Sequence, residues 1–271
     1  MTASAPEPRI LSIANQKGGV GKTTTAINLG TALAASGQSV LVVDCDPQGN
    51  ASTGLGVDRA QRHKTTYDLI TGAARLADVI VETAVPNLDL APSDVDLSGA
   101  ETELANTPRR SYRLRDAFSG LAGRSGGPPP YDYVLIDCPP SLNLLTVNAM
   151  TASDAVLVPL QCEFFALEGL SQLLRTIDLV KKTLNPDLEI QGVVLTMFDK
   201  RNNLSDQVAD DVRAHFGDKV YETVIPRNVR VSEAPSYGKP ALLYDHKCAG
   251  SQAYIKLAGE LLRRSRQVEP A

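Results

Sequence analysis

Asn15-Gln16-Lys17-Gly18-Gly19-Val20-Gly21-Lys22-Thr23-Thr24 is the stretch on which the reading of the fold turns. An apolar run, Ile10-Leu11-Ser12-Ile13-Ala14, precedes it, and a helix-like pattern over 23–35 follows. The order is strand, glycine-rich turn, helix N-terminus. Successive backbone N–H groups in such a turn point into one concavity, where the helix dipole adds partial positive charge. Glycine lets the main chain curl around phosphates without a Cβ clash. Lys22 can reach β- and γ-phosphate oxygens, and the Thr23 hydroxyl is placed to ligate Mg²⁺. The pattern G-x-x-x-x-G-K-[ST] is met imperfectly. Its first glycine falls on Gln16, and an extra lysine, Lys17, stands ahead of Gly18, Gly19 and Gly21. A bare glycine turn is the alternative, and the ordered sequence of strand, turn, Gly-Lys-Thr and helix argues against it.

Outward from that turn, apolar runs alternate with helical patterns. Ser36-Gly37 supplies a helix stop with glycine at C′. The run Ser39-Val40-Leu41-Val42-Val43-Asp44 is continuously apolar, as suits a parallel strand covered on both faces. Residues 51–130 read as mostly helical, with one short strand at Leu88-Asp89-Leu90 and a helix start within 107–115. Residues 123–130, rich in Gly, Pro and Ser, read as a surface loop. Further strands are expected at 133–137, 155–159, 190–197 and 220–224, and helices at 141–151, 167–184, 206–216 and 251–264. The Pro-rich stretch 225–240 reads as irregular. This alternation predicts one doubly wound, mostly parallel α/β sheet flanked by helices over 9–266, with tails at 1–8 and 267–271. Right-handed crossovers then bring the strand ends and their loops to one edge.

Three motifs converge on that edge. Behind the glycine loop come Asp44 and Asp46, and then Asp137, which ends the apolar run Tyr133-Val134-Leu135-Ile136. Asp137 suits a Walker B acid holding Mg²⁺ through a water. Asp46, two residues into the loop, can orient or polarise an attacking water, and Asp44 stands nearer the metal and Thr23. Each acid alone is equally a turn or cap residue at a strand end. Their order behind Gly-Lys-Thr favours the site. Lys17 has two readings on residue chemistry: a solvated loop lysine, or a cation reaching a second subunit's nucleotide as an arginine finger does.

These residues carry a resemblance. Lys17-Gly-Gly-Val-Gly-Lys-Thr-Thr24 resembles the deviant Walker A motif of the ParA/MinD group of ATPases. Val43-Asp44-Cys45-Asp46-Pro47-Gln48-Gly49-Asn50 is similar to that group's A′ motif in its ParA form, and Val134 to Ser141 to its Walker B motif. The stretch 225–240, Ile-Pro-Arg-Asn-Val-Arg-Val-Ser-Glu-Ala-Pro-Ser-Tyr-Gly-Lys-Pro, resembles a signature of chromosomal ParA (Soj) proteins. The resemblance implies ATP and Mg²⁺ as ligands, the loop 17–24 with Asp44, Pro226 and Arg227 around the nucleotide, and Lys17, Lys22 and Asp46 in hydrolysis. It implies an ATP-dependent sandwich homodimer in which Lys17 acts in trans. The dimer binds double-stranded DNA non-specifically, and a ParB-type partner stimulates hydrolysis. Arg201 and Arg230 map to DNA-contacting positions, with Lys200, Arg227, Lys239 and Lys247 as further candidates. The implied place is cytoplasmic and nucleoid-associated.

Composition constrains the alternatives. At 271 residues, 43% hydrophobic and with a net charge of −4, the chain can bury a large core and is not globally basic. Acids and bases nearly balance between Asp199 and Lys247, so a solvated mixed face competes there with a DNA surface. The arginines of 109–115 read as a solvated face. Cys45, Cys138, Cys162 and Cys248 form no C-x-x-C pair, so reduced thiols are expected rather than a metal site or disulfides. No apolar run approaches about 18 residues. A membrane-cycling ATPase would need an amphipathic end helix, and 254–264 is only modestly so; no stable membrane association is expected. An iron–sulfur reductase would need Cys138 or Cys162 to bridge subunits. The first eight residues lack a signal-peptide pattern, and no helix-turn-helix precedes the first strand, so operator-specific repression is not expected.

Overall fold

The computed structural model describes residues 7–119, 121, 131–163 and 166–268. The expected loop 123–130 lies outside the described residues. Seven strands form one sheet in the order β3-β4-β2-β5-β1-β6-β7. They are β1 (Arg9–Ile13), β2 (Val40–Asp44), β3 (Val81–Glu82), β4 (Leu88–Ala91), β5 (Tyr133–Asp137), β6 (Ala155–Gln161) and β7 (Glu189–Thr196). All neighbours pair in parallel except β3 with β4. The doubly wound, mostly parallel sheet expected from the sequence is therefore present.

Period-two alternation feeds two cores from the same strands. Val40, Val42, Leu135 and Leu157 join one cluster, with Leu29 and Leu33 of α1 (Lys22–Ala35) and Leu257 and Leu261 of α12 (Ala249–Val268). Leu41, Val43, Val134, Ile136 and Val158 join the other, under the helices of the opposite face. The first half of the chain also holds α2 (Asn50–Gly54), α3 (Thr66–Thr71), α4 (Leu76–Val79), α5 (Ala100–Glu103) and α6 (Arg113–Phe118). The second half adds α7 (Leu144–Ala152), α8 (Ala166–Thr183), α9 (Asn203–Phe216), α10 (Val229–Glu233), α11 (Ala241–Tyr244) and α12 (Ala249–Val268). Gly30 lets α1 approach the sheet closely: a Cβ there would stand 3.2 Å from Val42 Cγ2 and 3.3 Å from Leu88 Cδ1. Asn143 caps α7 and Asn202 caps α9, so both helices start where side-chain oxygens meet free amides.

The structure departs from the expectations in three places. The edge strand β3 has no counterpart in the sequence reading, because two residues carry no periodicity. The expected strand 220–224 forms only a single bridge, Val193 to Val220. The amides of Glu222 and Thr223 turn away from β7 and donate instead to the two Glu260 carboxylate oxygens, at 2.9 and 3.0 Å. Stretch 225–240, read as irregular, holds α10 and a 3₁₀ turn (Ala234–Tyr237).

Candidate nucleotide site

The carboxyl ends of β1, β2 and β5 lie side by side, with Ile13 and Asp44 each opposite Asp137 in register. The glycine loop leaves β1 there and enters α1 at Gly21. Gly19 and Gly21 take φ of +75° and +89°, a conformation that L side chains resist, which explains glycine at both positions. Two side chains fix the loop, and neither was foreseen from the sequence. Asn15 donates from its amide to the Pro159 carbonyl (2.8 Å) and accepts from the Lys17 amide (3.0 Å). The Thr196 hydroxyl donates to the Val20 carbonyl at 2.8 Å. The loop is therefore tied to the ends of β6 and β7 and held in shape by the protein itself.

Gly18, Gly19, Gly21, Lys22, Thr23, Thr24, Asp46, Pro226 and Arg227 line one cleft of about 920 Å³. That size suits a nucleotide-scale ligand, typically about 300–1,000 Å³. Ile225, Val229 and Pro235 give its far wall an apolar lining. Lys22 is buried and donates to the Lys17 carbonyl at 3.0 Å, so its ammonium is aimed by its own loop. Burial lowers its pKa, and the Asp137 charge is the strongest influence resisting that.

Asp137 is fully buried, and neither of its carboxylate oxygens has a hydrogen-bond partner. Burial pushes its carboxyl well above the usual carboxylate range and the Asp44 charge adds to this, while the Thr23 hydroxyl and Lys22 oppose it. A buried anion without partners is costly, and a hydrated divalent cation is the chemistry that relieves it. The pair Thr23 and Asp137 fits such an ion.

Asp44 does different work. One of its oxygens accepts from the Asp46 amide (3.2 Å), and the other from the Ser52 amide (2.8 Å) and hydroxyl (2.7 Å). Burial still pushes Asp44 up to about 6. It is absent from the cleft lining, as are Lys17, Val20 and Asp137. Asp44 thus anchors the loop that carries Asp46 into the cleft. Lys17 lies outside the lining of its own cleft, with its ammonium 2.6 Å from Glu163 Oε2. Gln161 donates to the other Glu163 oxygen, so this acid is itself held.

The basic candidates fall into two groups. A parallel bridge joins Phe198 to Pro226, with Phe198 N–H donating to the Ile225 carbonyl (3.0 Å) and Arg227 N–H to the Phe198 carbonyl (3.1 Å). It brings the Lys200–Arg201 turn beside Arg227. All six candidates, including Lys239 and Lys247, are exposed, yet the two leading arginines are paired within the chain. Arg201 binds Asp199 at 2.8 Å, and Arg230 binds Glu233 at 3.1 Å and Asp245 at 3.8 Å. The mixed charge read from the sequence is thus expressed as ion pairs. Cys45, Cys138 and Cys162 are buried, and burial raises all three thiols. Tyr254, Leu257 and Leu261 of α12 face inward, and the Tyr254 hydroxyl lies 3.3 Å from Thr25 of α1. Among the described residues, no helix is long and apolar enough to cross a membrane.

Comparison with known proteins adds four findings. A protein-family model described as an AAA domain matches residues 8–190. The chromosome partitioning protein ParA of Caulobacter vibrioides is 70% identical, covering 97% of each chain. The sporulation initiation inhibitor protein Soj of Bacillus subtilis is 54% identical over 93% of this chain and 98% of its own. A solved structure of cobyrinic acid a,c-diamide synthase from Mycobacterium smegmatis, with bound ADP and magnesium, superposes with a TM-score of 0.83. It is 37% identical and covers 97% of each chain.

Proposed function

The chain belongs to the ParA/Soj family of chromosome-partitioning ATPases, and on that premise we propose that its cleft binds Mg-ATP and that hydrolysis switches a DNA-bound dimer off. The observation that carries this reading is Asp137: a fully buried carboxylate without a hydrogen-bond partner, influenced by Thr23 and Lys22, which themselves line a nucleotide-sized cleft.

In this reading the amides of the 17–24 loop and the Lys22 ammonium hold the phosphates. Thr23 and Asp137 hold Mg²⁺, which supplies Lewis-acid neutralisation of developing phosphate charge. Asp46 aligns the attacking water, and Asp44 fixes the loop that positions it. Ile225, Pro226 and Arg227 bound the base-binding side. Lys17 contacts the nucleotide of a second copy; its position outside its own cleft supports that role. Two copies closing around two nucleotides then present Arg201 and Arg230 to phosphates of double-stranded DNA, with Lys200, Arg227, Lys239 and Lys247 around them. A ParB-type partner accelerates hydrolysis and returns the chain to a monomer that leaves the nucleoid for the cytoplasm.

The test is a DNA-binding titration with ATP, with ADP and without nucleotide, at two salt concentrations. Binding is expected only with ATP, and it weakens with salt by about 0.9 log–log slope per neutralised phosphate. Equal binding in all three nucleotide states refutes the switch.

A further inference from the structure

Arg62 belongs to none of the motifs above, yet with Lys22 it is one of two buried cations among the described residues, 8% exposed. It follows the 3₁₀ turn Arg59–Gln61. Among the described residues, no carboxylate forms an ion pair with it. Its Nε and Nη2 donate to the Val57 carbonyl at 3.2 and 2.8 Å, Nη1 to the Ser93 carbonyl at 2.8 Å, and Nη2 also to the Thr53 hydroxyl at 2.9 Å. Every acceptor lies on a segment that frames the Asp46 loop.

Two lines run from the guanidinium to that loop. Along the first, Ser93 N–H donates to the Ser52 hydroxyl (3.0 Å), which donates to Asp44 (2.7 Å), which accepts from the Asp46 amide (3.2 Å). Along the second, the Thr53 hydroxyl donates to the Gly49 carbonyl (3.1 Å), and Gly49 N–H donates to the Asp46 carbonyl (2.9 Å). Packing gives independent support. Gly49 takes φ +63°, and a Cβ there would collide with Arg62 Nη1 and stand 2.8 Å from the Ser93 carbonyl. The guanidinium therefore fills the space against the turn in which Asp46 is held.

We propose that Arg62 is a positioning residue for hydrolysis, acting through the Asp46–Gly49 turn rather than on the nucleotide. The inference rests on the reading that Asp46 aligns the attacking water. Lysine cannot replace this group, because one ammonium cannot serve the three acceptors at Thr53, Val57 and Ser93 that a planar fork reaches together.

The experiment compares Arg62→Lys, Thr53→Val and Asp46→Ala, singly and combined, by single-turnover hydrolysis, ATP affinity and thermal unfolding. Arg62→Lys keeps the charge and is expected to lower kcat on the order of 10–100-fold, as outer-shell partners do, with ATP affinity changed less than about two-fold. Thr53→Val is nearly isosteric at an exposed position. It cuts one line only, so its kcat falls less, and it keeps the proposal testable if Arg62→Lys does not fold. In the Asp46→Ala background, neither substitution should slow the residual rate further. A wild-type kcat in both single variants overturns the proposal, as does an undiminished effect without Asp46. Normal hydrolysis in Asp46→Ala overturns instead the underlying reading of Asp46.

Discussion

Glu163→Gln is expected to tighten ATP-dependent dimerisation. In the isolated chain, Lys17 Nζ sits 2.6 Å from Glu163 Oε2, with the two side chains 37% and 46% exposed. If Lys17 serves a second copy's nucleotide, this pair must open first. Half-exposed pairs of this kind contribute about 0.2–1 kcal/mol each. A dimer opens two of them, so the cost is about 0.4–2 kcal/mol, or roughly two- to thirty-fold in the dimerisation constant. Glutamine keeps the shape and removes the charge. Sedimentation equilibrium with a non-hydrolysable ATP analogue reads the constant directly. The gain should be largest at low salt and shrink toward 1 M, where the screening length falls to about 3 Å. In a Lys17→Ala background the same substitution should change nothing. Weaker dimerisation by Glu163→Gln at low salt, or no change, refutes the argument, because Glu163 would then not be holding Lys17 back.

Other perturbations test other parts of the molecule. Asp137 is raised above its ordinary 3.8 by burial, so without metal the folded state loses stability as pH rises from that value and the unfolded chain ionises first. Asp137→Asn should therefore unfold at a higher temperature than the parent in EDTA, with a gap that widens from pH 4 upward, and should gain less from Mg-ATP. A constant gap across pH would contradict this. Arg230→Glu should weaken DNA binding and lower the salt slope by about one per lost phosphate contact, leaving ATP-dependent dimerisation intact; undiminished low-salt binding would remove Arg230 from the surface. Gly192 has φ +152°, and a Cβ there would stand 2.6 Å from the Lys219 carbonyl. Gly192→Ala should cost about 2–4 kcal/mol and lower Tm by about 5–15 °C; calorimetry showing a shift below about 2 °C would contradict it.

The strands nearest the site were legible because a doubly covered parallel strand must be apolar throughout, as Val40–Val43 and Val134–Ile136 are. The glycine loop was legible because its conformation demands glycine at Gly19 and Gly21. Long-range pairing was not legible. Glu260 captures the amides of Glu222 and Thr223 from nearly forty residues away, and no local pattern announces it. The same holds for Asn15 on Pro159, Lys17 on Glu163 and Arg62 on Ser93, where a side chain meets a backbone or partner that only the fold brings near. Asp44 was placed nearer the metal and does lie opposite Asp137 in register, but its hydrogen bonds to the Asp46 amide and to Ser52 of α2 were not legible.

The Glu260 clamp also bears on how copies of this chain can join. At one margin of the sheet β7 is followed alongside by residues 220–227, whose Val220, Tyr221 and Ile225 touch it while Glu222 and Thr223 are held off. At the other margin β3 offers two residues, one of them a glutamate. Short, charged or covered margins discourage strand addition. Among the described residues, neither margin is a template for a continuous intermolecular sheet. Higher-order assembly is thereby channelled to loops and helix faces, and adding a strand along residues 220–225 would first require pulling Glu260 off its two amides.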